Sequence, residues 1–210
     1  LLIERELTAR TRSDALILGT PTLVKDINGV VPTGVTSSSP ARFITFQGIT
    51  YFAATEVVTG NELWRTDGTA LGTYLVADLN SGTSSSTPDD FMVFNGELYF
   101  TATDGNTGIE LWKTKGTSGT TELVGDILPG TSSSSPSNLT VVGSTLYFQA
   151  TDGTATGMHG RELWKTNGSS APELVIDLNA GTASGVATTT SSVTAALGTK
   201  LVFVATNGTS

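Results

Sequence analysis

The chain has 210 residues, with 11 lysine and arginine residues against 19 aspartate and glutamate residues, and its net charge is −8. This acidic balance argues against binding to nucleic acid or to an anionic lipid surface, because both need a basic face. The absence of cysteine excludes disulfides and thiolate metal sites, and no apolar run approaches the roughly 20 residues of a membrane-spanning helix. Charged residues make up only 14% of the chain, and glycine, serine and threonine are abundant, so the composition predicts all-β structure with many turns.

Residues 1–39 have the pattern of the second half of a repeated unit. The stretch RELTART (5–11) parallels RELWKTN later in the chain, and TLVKDIN (22–28) has the pattern of a fourth strand. In this alignment Thr8 stands where the other units carry tryptophan. We therefore expect residues 1–39 to form a half-blade with an irregular third strand.

Three full units follow, and we place them at residues 40–87, 88–135 and 136–187. Each unit contains a serine run closed by proline, a Tyr-Phe pair, an ELW string and an LV-x-D string, and these features recur about every 48 residues. The recurring residues are Pro40, Pro88 and Pro136; Tyr51, Tyr99 and Tyr147; and Trp64, Trp112 and Trp164. A repeat of this length is the signature of an architecture built from stacked supersecondary units.

One unit, residues 88–135, predicts four short antiparallel strands. FMVF is the first strand, and Asn95-Gly96 is a strong signal for a two-residue hairpin turn. ELYFTAT is the second strand, IELWKT the third and TELVGDIL the fourth, with glycine-containing turns between them. The serine-rich connection PGTSSSSP then reads as a flexible link to the next unit.

A lone four-stranded sheet that is apolar on both faces must stack against its neighbours, as the blades of a β-propeller do. Residues 188–210 match only the first two strands of a unit, so they form a second half-blade. The sequence therefore predicts a single repeat domain over residues 1–210. It is a β-propeller of about four four-stranded blades, the last composed of the N- and C-terminal halves. This composite blade can close within one chain, which we expect, or between copies of the chain.

The repeated strings ELW-x-x-D-G-T, GT-x-LV-x-DI/LN and NG-x-LYF-x-A-x-DG resemble the ELWxxDGT repeat family over roughly residues 20–206. The family consists of bacterial secreted or surface proteins with propeller-like repeats, so the resemblance implies an extracellular or cell-surface location. It implies no established activity or site. Lys115 and Asn167 depart from the motif, because they replace the aspartate represented by Asp67.

The recurrence of Trp64, Trp112 and Trp164 favours a packing role between blades, because a ligand-binding tryptophan need not appear in every unit. The alternative is a lectin with one aromatic platform in each blade. The glutamate two residues before each tryptophan is expected to make a hydrogen bond or an ion pair, for example to Lys113 or Lys165. A catalytic carboxylate would not need to be repeated.

Aspartates recur at the ends of the fourth strands, where we expect them to accept backbone N–H bonds in turns. They are Asp26, Asp78, Asp126 and Asp177. A weaker hypothesis is a calcium site in the loop DGNTGIE, with Asp104, Asn106 and Glu110 as oxygen ligands. The ligand spacing is not repeated in the other units, so we expect no metal and no other cofactor.

Catalysis has little support in the sequence. The single histidine, His159, lies in an expanded loop that we expect to be solvated, and nothing resembles a nucleophile elbow or a phosphate-binding loop. We therefore expect a non-enzymatic secreted or cell-surface module with a structural or adhesive role, whose partner is a glycan or another surface protein. The alternatives are a carbohydrate-binding propeller and a subunit of an extracellular filament assembled through complementary half-blades.

Overall fold

The computed structural model describes residues 3–4, 7–8, 17–18, 22–28, 37–186 and 194–208, and this described part is all-β. Four short strands come first: β1 (Ile3–Glu4), β2 (Leu7–Thr8), β3 (Ile17–Leu18) and β4 (Thr22–Leu23). The first sheet contains β5 (Ala41–Phe46), β6 (Ile49–Glu56), β7 (Gly60–Thr66) and β8 (Tyr74–Ala77). The second sheet contains β9 (Asp89–Phe94), β10 (Glu97–Thr103), β11 (Ile109–Thr114) and β12 (Glu122–Gly125). The third sheet contains β13 (Ser137–Val142), β14 (Thr145–Thr151), β15 (Arg161–Thr166) and β16 (Glu173–Ile176), and β17 (Thr194–Leu197) and β18 (Lys200–Phe203) follow it.

The prediction of four antiparallel strands in each full unit is confirmed, since each of the three sheets has its strands in chain order. The turn at Asn95-Gly96 has φ angles of 49° and 74°, and Phe94 pairs with Glu97 across it. These positive φ angles are those of a type I′ hairpin, as the sequence predicts. One short 3₁₀ turn, Ser118–Thr120, is the only helical segment among the described residues. Within those residues the structure contains no helix with the length and apolarity needed to cross a bilayer.

The three sheets pack against one another in order. A core cluster that includes Phe46 and Leu63 of the first sheet also includes Phe100 and Trp112 of the second sheet. A second cluster joins the second sheet to the third in the same way. The first strands of successive sheets lie side by side, β5 beside β9, β9 beside β13, and β13 beside β17. No closed circle of sheets forms among the described residues.

The N-terminal strands correct one part of the sequence interpretation. In each sheet the tryptophan of the third strand pairs with a leucine of the fourth strand, as Trp112 does with Leu123. The equivalent Leu23 pairs with Ile3, so Ile3, and not Thr8, occupies the tryptophan position in this half-unit. Thr8 lies instead in a separate strand pair, opposite Ile17.

The physical reason for this difference is the length of the segment between the third and fourth strands. In the full sheets a short turn joins them, whereas here the longer segment forms its own pair of strands, β2 with β3. The alignment of residues 5–11 with the ELW string was therefore wrong at the position of Thr8. Most of that stretch, including Glu6, lies outside the described residues.

The predicted composite fourth blade is not a single sheet among the described strands. β1 pairs with β4, β2 with β3, and β17 with β18. The two ends therefore provide separate strand pairs at opposite ends of the array. The segment after β4 adjoins the first sheet through Ile27, and β17 adjoins the third sheet at β13.

Candidate functional site

The three recurring tryptophans lie in the contacts between neighbouring structural units. Trp112 belongs to the cluster that joins the first and second sheets, and Trp164 packs against the cluster that joins the second and third. Trp64 packs with Ile27 of the N-terminal segment. Trp64 and Trp112 are only 4% and 8% exposed, so these indoles do not present open platforms for a sugar ring.

The recurring glutamates are fully buried inside their own sheets. The Glu110 carboxylate accepts hydrogen bonds from the Ser134 backbone N–H at 2.7 Å and from the Ser134 hydroxyl at 2.5 Å. It also accepts one from the Ile127 N–H at 3.3 Å. Glu110 therefore connects the third strand of its sheet to the chain that leads to the next sheet.

The other two glutamates repeat this arrangement. The Glu62 carboxylate accepts hydrogen bonds from the N–H and the hydroxyl of Ser86, at 2.8 and 2.5 Å. The Glu162 carboxylate accepts one from the N–H of Gly185 at 2.5 Å, and Gly185 has no hydroxyl to add. The serine-rich connections, which the sequence suggested to be flexible, are therefore fastened to the sheets by hydrogen bonds at these residues.

The glutamates do not pair with the lysines that the sequence suggested. Lys113 forms ion pairs with Glu97 at 3.3 Å and with Glu122 at 3.0 Å. Lys165 pairs with Glu173 at 3.1 Å. These lysines lie one residue after the tryptophans, so on an alternating strand they point to the face opposite the glutamates.

Burial raises the pKa of Glu62, Glu110 and Glu162 above the ordinary value of a glutamate, because removal from water disfavours the charged carboxylate. Hydrogen bonds from backbone N–H groups, and for Glu62 and Glu110 also from a serine hydroxyl, act in the opposite direction, and for all three groups burial is the larger effect. A raised carboxyl pKa is also a property of general acids, but these groups are sealed from solvent and have internal partners. Their arrangement fits a structural role.

The recurring aspartates at the strand ends accept backbone hydrogen bonds in turns. Asp78, Asp126 and Asp177 accept them from Gly82, Gly130 and Gly181, at 3.2, 3.3 and 3.1 Å. Asp26, at the matching position of the N-terminal half, is exposed.

The calcium candidates belong to two separate hydrogen-bond groups. Asp104 accepts bonds from the N–H of Asn106 at 2.9 Å and from the N–H and hydroxyl of Thr107 at 2.8 and 2.9 Å. The Glu110 carboxylate oxygens accept hydrogen bonds from Ser134, as described above. The bonds to Asp104 lower its pKa, although burial opposes them. No group of three or more His, Cys, Asp or Glu side chains within the described part of the chain is placed to hold a metal ion.

His159, which the sequence suggested to be solvated, has 38% of its side chain exposed and is also paired. Its Nδ1 lies 2.6 Å from the Asp152 carboxylate, whose other oxygen accepts the His159 N–H at 2.8 Å. The hydrogen bond to Asp152 raises the pKa of His159. This pair occupies the repeat position of Asp104 and Thr107, so it closes the expanded loop as that pair closes its own loop.

One group of polar residues does not repeat, and it lies where the first strands begin. We call it the first-strand rim, and it comprises Arg42, Asp89, Asp90, Ser137, Asn138, Gln149 and Arg161. Arg42 and Asp89 form an ion pair of 3.1 Å between the first and second sheets. Arg42, Asp90 and Asn138 occupy the same position in β5, β9 and β13, and their φ angles are 60°, 49° and 58°.

These positive φ angles accompany an irregularity in the strand pairing. The register shifts next to each of the three residues, as in a β-bulge. A bulge redirects a side chain away from the regular alternation of the strand. Side chains of different charge are thus presented at equivalent positions of neighbouring sheets.

Arg161 lies at the start of the third strand of the third sheet and joins the rim residues of that sheet by hydrogen bonds. Its guanidinium donates to the Ser137 hydroxyl at 2.5 Å, to the Ser135 carbonyl at 2.9 Å and to the Gln149 carbonyl at 3.3 Å. Burial lowers its pKa, and the charge of Asp90 opposes that shift. The pKa of Asp90 is raised by desolvation and by Asp89, while Arg42 and Arg161 oppose the shift. The rim therefore combines opposite charges with amide and hydroxyl groups.

Sequence reasoning missed this site because it followed the positions that recur. Three rim residues, Arg42, Asp90 and Asn138, share a position in the repeat but differ in type. They could have been found by a search for a position whose residue type changes from unit to unit although the surrounding repeat is regular.

No protein-family model and no curated protein match the chain. Among solved structures the chain is similar to the computationally designed Ika8 protein, with 15% sequence identity and a TM-score of 0.41. The similarity covers 91% of this chain and 48% of that protein, so the chain spans about half the length of the designed protein.

Proposed function

We propose that the chain is a non-enzymatic β-propeller module with a structural or adhesive role at the cell surface or outside the cell. The stacked four-stranded sheets, with their first strands side by side, support a propeller arrangement. The resemblance of the repeats to the ELWxxDGT family supports the location. The array of sheets is then the scaffold, and the first-strand rim is the surface that binds the partner.

The observation that carries the proposal is the contrast between recurring and non-recurring residues. Recurring side chains such as Trp112 and Glu110 are used inside the array, as packing groups and as hydrogen-bond acceptors. The charged side chains that differ between units come together at the rim, where Arg42 and Asp89 are 60% and 45% exposed. Stacked repeats create an extended surface that repeat proteins use for binding, and the side chains that differ between units give one such surface its chemical character.

A glycan is the partner that this surface fits best. Sugar hydroxyl groups donate and accept hydrogen bonds, and the rim offers guanidinium, carboxylate, amide and hydroxyl groups in one place. The tryptophans do not take part in this proposal, because their faces are used between the sheets. The recognition of another surface protein through the same residues is the second candidate, and the paired charges Arg42 and Asp89 favour it.

The proposal can be tested by binding to a glycan array and to intact bacterial surfaces. The rim variant combines Arg42→Ala with Asp90→Asn. The matched control is Lys165→Ala, which breaks an exposed ion pair of 3.1 Å between the third and fourth strands of the third sheet, Lys165 with Glu173. We expect the rim variant to lose at least tenfold in affinity and the control to bind as the wild type does. Wild-type protein that binds neither surface, or a rim variant that binds normally, would contradict the proposal.

A further inference from the structure

Two asparagine-glycine turns of neighbouring sheets lie against each other. Asn95-Gly96 joins the first and second strands of the second sheet, and Asn167-Gly168 follows the third strand of the third sheet. The Asn95 Nδ2 donates a hydrogen bond to the Asn167 backbone carbonyl at 3.0 Å. Both asparagines are exposed, so access to water does not distinguish them.

An asparagine that precedes glycine can lose its side-chain amide by a reaction within the chain. The glycine backbone nitrogen attacks the asparagine Cγ and a C–N bond forms. The bond from Cγ to the amide nitrogen breaks, and that nitrogen leaves as ammonia with the proton of the glycine N–H. Water then opens the resulting cyclic imide to give aspartate or isoaspartate. Glycine favours the attack because it carries no side chain, and the covalent chain keeps the two reacting atoms close.

The side-chain oxygen of Asn167 already has hydrogen-bond donors around it. It accepts bonds from the Ser169 N–H at 2.9 Å, from the Ser169 hydroxyl at 2.9 Å and from the Ser170 hydroxyl at 3.3 Å. A backbone N–H can only donate, so the atom that faces it is the amide oxygen. This oxygen gains negative charge when Cγ is attacked, and donors aimed at such an oxygen stabilise the transition state. No described hydrogen bond holds the Asn167 Nδ2, the nitrogen that leaves.

Asn95 has the opposite arrangement. Its Nδ2 is held by the hydrogen bond to the Asn167 carbonyl, and that bond must break before the nitrogen can leave. Its side-chain oxygen has no donor among the described contacts. The two turns have the same dipeptide and similar exposure, but only Asn167 has donors that favour the attack.

The first sheet shows that aspartate fits at the position of Asn167. Asp67 stands at this position in the first unit, and its carboxylate accepts the Thr69 N–H at 2.9 Å and the Thr69 hydroxyl at 2.7 Å. The glycine after it donates to Thr66, as Gly168 does to Thr166, at 3.0 Å in both turns. Conversion of Asn167 to aspartate therefore reproduces a turn that the chain already contains.

Isoaspartate does not fit in the same way, because its backbone runs through the side-chain carbon and is longer by one atom. The added length displaces Gly168, whose surroundings leave little space. A β-carbon there would come within 2.6 Å of the Tyr99 hydroxyl, and the Lys113 ammonium donates to the Gly168 carbonyl at 3.0 Å. Both contacts join the second sheet to the third, so isoaspartate weakens that junction.

We propose that Asn167 is a site of spontaneous modification, which the chain converts to aspartate and isoaspartate with release of ammonia, while Asn95 is preserved. The co-reactant is water, and no enzyme is needed. Over time the turn gains a negative charge, and the isoaspartate form loosens the contact between the second and third sheets. Arg161 begins β15 and Thr166 ends it, so the turn lies at the opposite end of the strand from the first-strand rim. The modification therefore does not depend on binding at the rim.

Peptide mass spectrometry of aged protein tests the proposal. The purified chain is incubated at neutral pH and physiological temperature in water enriched in heavy oxygen, and the Asn95 and Asn167 peptides are compared in each sample. We expect Asn167 to react at least about tenfold faster than Asn95 and to give both products. The chain incubated in denaturant is the control, and there the two sites should react at similar rates. Equal rates in the folded protein, a faster reaction at Asn95, or an unchanged Asn167 would overturn the proposal.

Two variants test the role of the donors. Ser169→Ala removes an exposed hydroxyl that donates to the Asn167 oxygen, so the reaction should slow several-fold without a change in stability. Ser132→Ala, at an exposed serine of another connection, is the matched control and should react as the wild type does. A faster reaction in Ser169→Ala would mean that the hydrogen bonds protect Asn167, which would overturn the proposal.

Asp67→Asn tests whether the same surroundings confer the reaction on another sheet. The new asparagine precedes Gly68 and has the Thr69 donors in place, so it should react at a rate similar to that of Asn167. A new asparagine as slow as Asn95 would overturn the proposal. The two products are then separated by ion exchange and unfolded with denaturant. We expect the aspartate form to be as stable as the wild type and the isoaspartate form to be less stable, and the reverse order would contradict the effect on the sheet contact.

Discussion

The hydroxyl of Tyr51, in the first sheet, fills the space that a β-carbon would need at Gly116 in the second sheet. Tyr99 stands in the same relation to Gly168 of the third sheet, where a β-carbon would come within 2.6 Å of the phenolic oxygen. The same contact between neighbouring sheets thus occurs twice. In each case the tyrosine of a YF pair meets the glycine of the turn that follows the ELW strand of the next sheet. The backbone approaches the ring so closely that only glycine fits.

Gly116→Ala should destabilise the protein more than Gly130→Ala does. Both glycines have a φ of +100°, so the two substitutions share the cost of a side chain in this conformation. At Gly130 nothing lies within 4 Å of the added carbon, whereas at Gly116 it meets Tyr51. We expect a difference of about 1–3 kcal/mol in the free energy of unfolding, measured by denaturant titration. Equal costs at the two positions would show that the sheets do not meet at this contact.

Trp112→Ala should cost about 3–5 kcal/mol of stability, because the indole is buried between two sheets. Its Nε1 donates to the Ala102 carbonyl at 3.0 Å, so Trp112→Phe should also cost about 1 kcal/mol beyond the loss of volume. The matching control is Trp64→Phe, since the Trp64 Nε1 has no described hydrogen-bond partner. Chemical denaturation measures these differences. Trp112→Ala with near-normal stability and a lost sugar response would favour the lectin interpretation instead.

The buried Glu110 gives a pH dependence whose sign can be stated. Its pKa is raised in the folded protein, so the folded state holds the proton more tightly than the unfolded chain does. The stability from this group is fully present below the pKa of the unfolded chain, about 4.3, and is lost as the pH rises through the raised pKa. Asp67 and Asp104, whose pKa values are lowered, act with the opposite sign.

Comparison with Glu110→Gln isolates this effect, because the other carboxylates are common to both proteins. We expect the wild type to exceed the variant in stability by more at pH 4 than at pH 7. Urea titrations at several pH values would measure the difference. An advantage that grows toward pH 7 would mean that the Ser134 hydrogen bonds, and not burial, set the pKa of Glu110.

Much of the fold could be predicted from the sequence, because the repeat made each element visible several times. The Asn95-Gly96 hairpin and the four strands of a unit follow from local chemistry and alternation, and the structure has both. The position of Ile3 could not be predicted, because its strand has no tryptophan and the following segment is longer. The register of β1 is determined by the pairing of Ile3 with Leu23, which is a contact between residues distant in the chain.

The site was harder to predict than the fold. The partners of Glu110 are 17 and 24 residues away in the chain, so sequence spacing suggested Lys113 instead. The first-strand rim depends on β-bulges that place Arg42, Asp90 and Asn138 at equivalent positions, and no short motif marks a bulge in the absence of glycine. Contact between sheets brings Arg42 to Asp89, which only the folded structure shows.

Chelation of calcium should leave the melting temperature unchanged. The Asp104 carboxylate already accepts hydrogen bonds from Asn106 and Thr107, so the loop is closed without an ion. Asp104→Ala should instead lower the stability by about 1–2 kcal/mol through the loss of these bonds. Differential scanning calorimetry with and without chelator tests this. A rise of several degrees on addition of millimolar calcium would contradict it, because an ion that binds only the folded state must stabilise that state.

The recurring residues hold neighbouring sheets together. A double-mutant cycle between Tyr51→Phe and Gly116→Ala tests it most directly, since the two residues belong to different sheets and meet at one atom. Removal of the phenolic oxygen makes room for the added methyl group, so Gly116→Ala should cost at least about 1 kcal/mol less in the Tyr51→Phe background than in the wild type. Equal costs in the two backgrounds, measured by denaturant unfolding, would contradict the claim that these sheets pack against each other through their repeated residues.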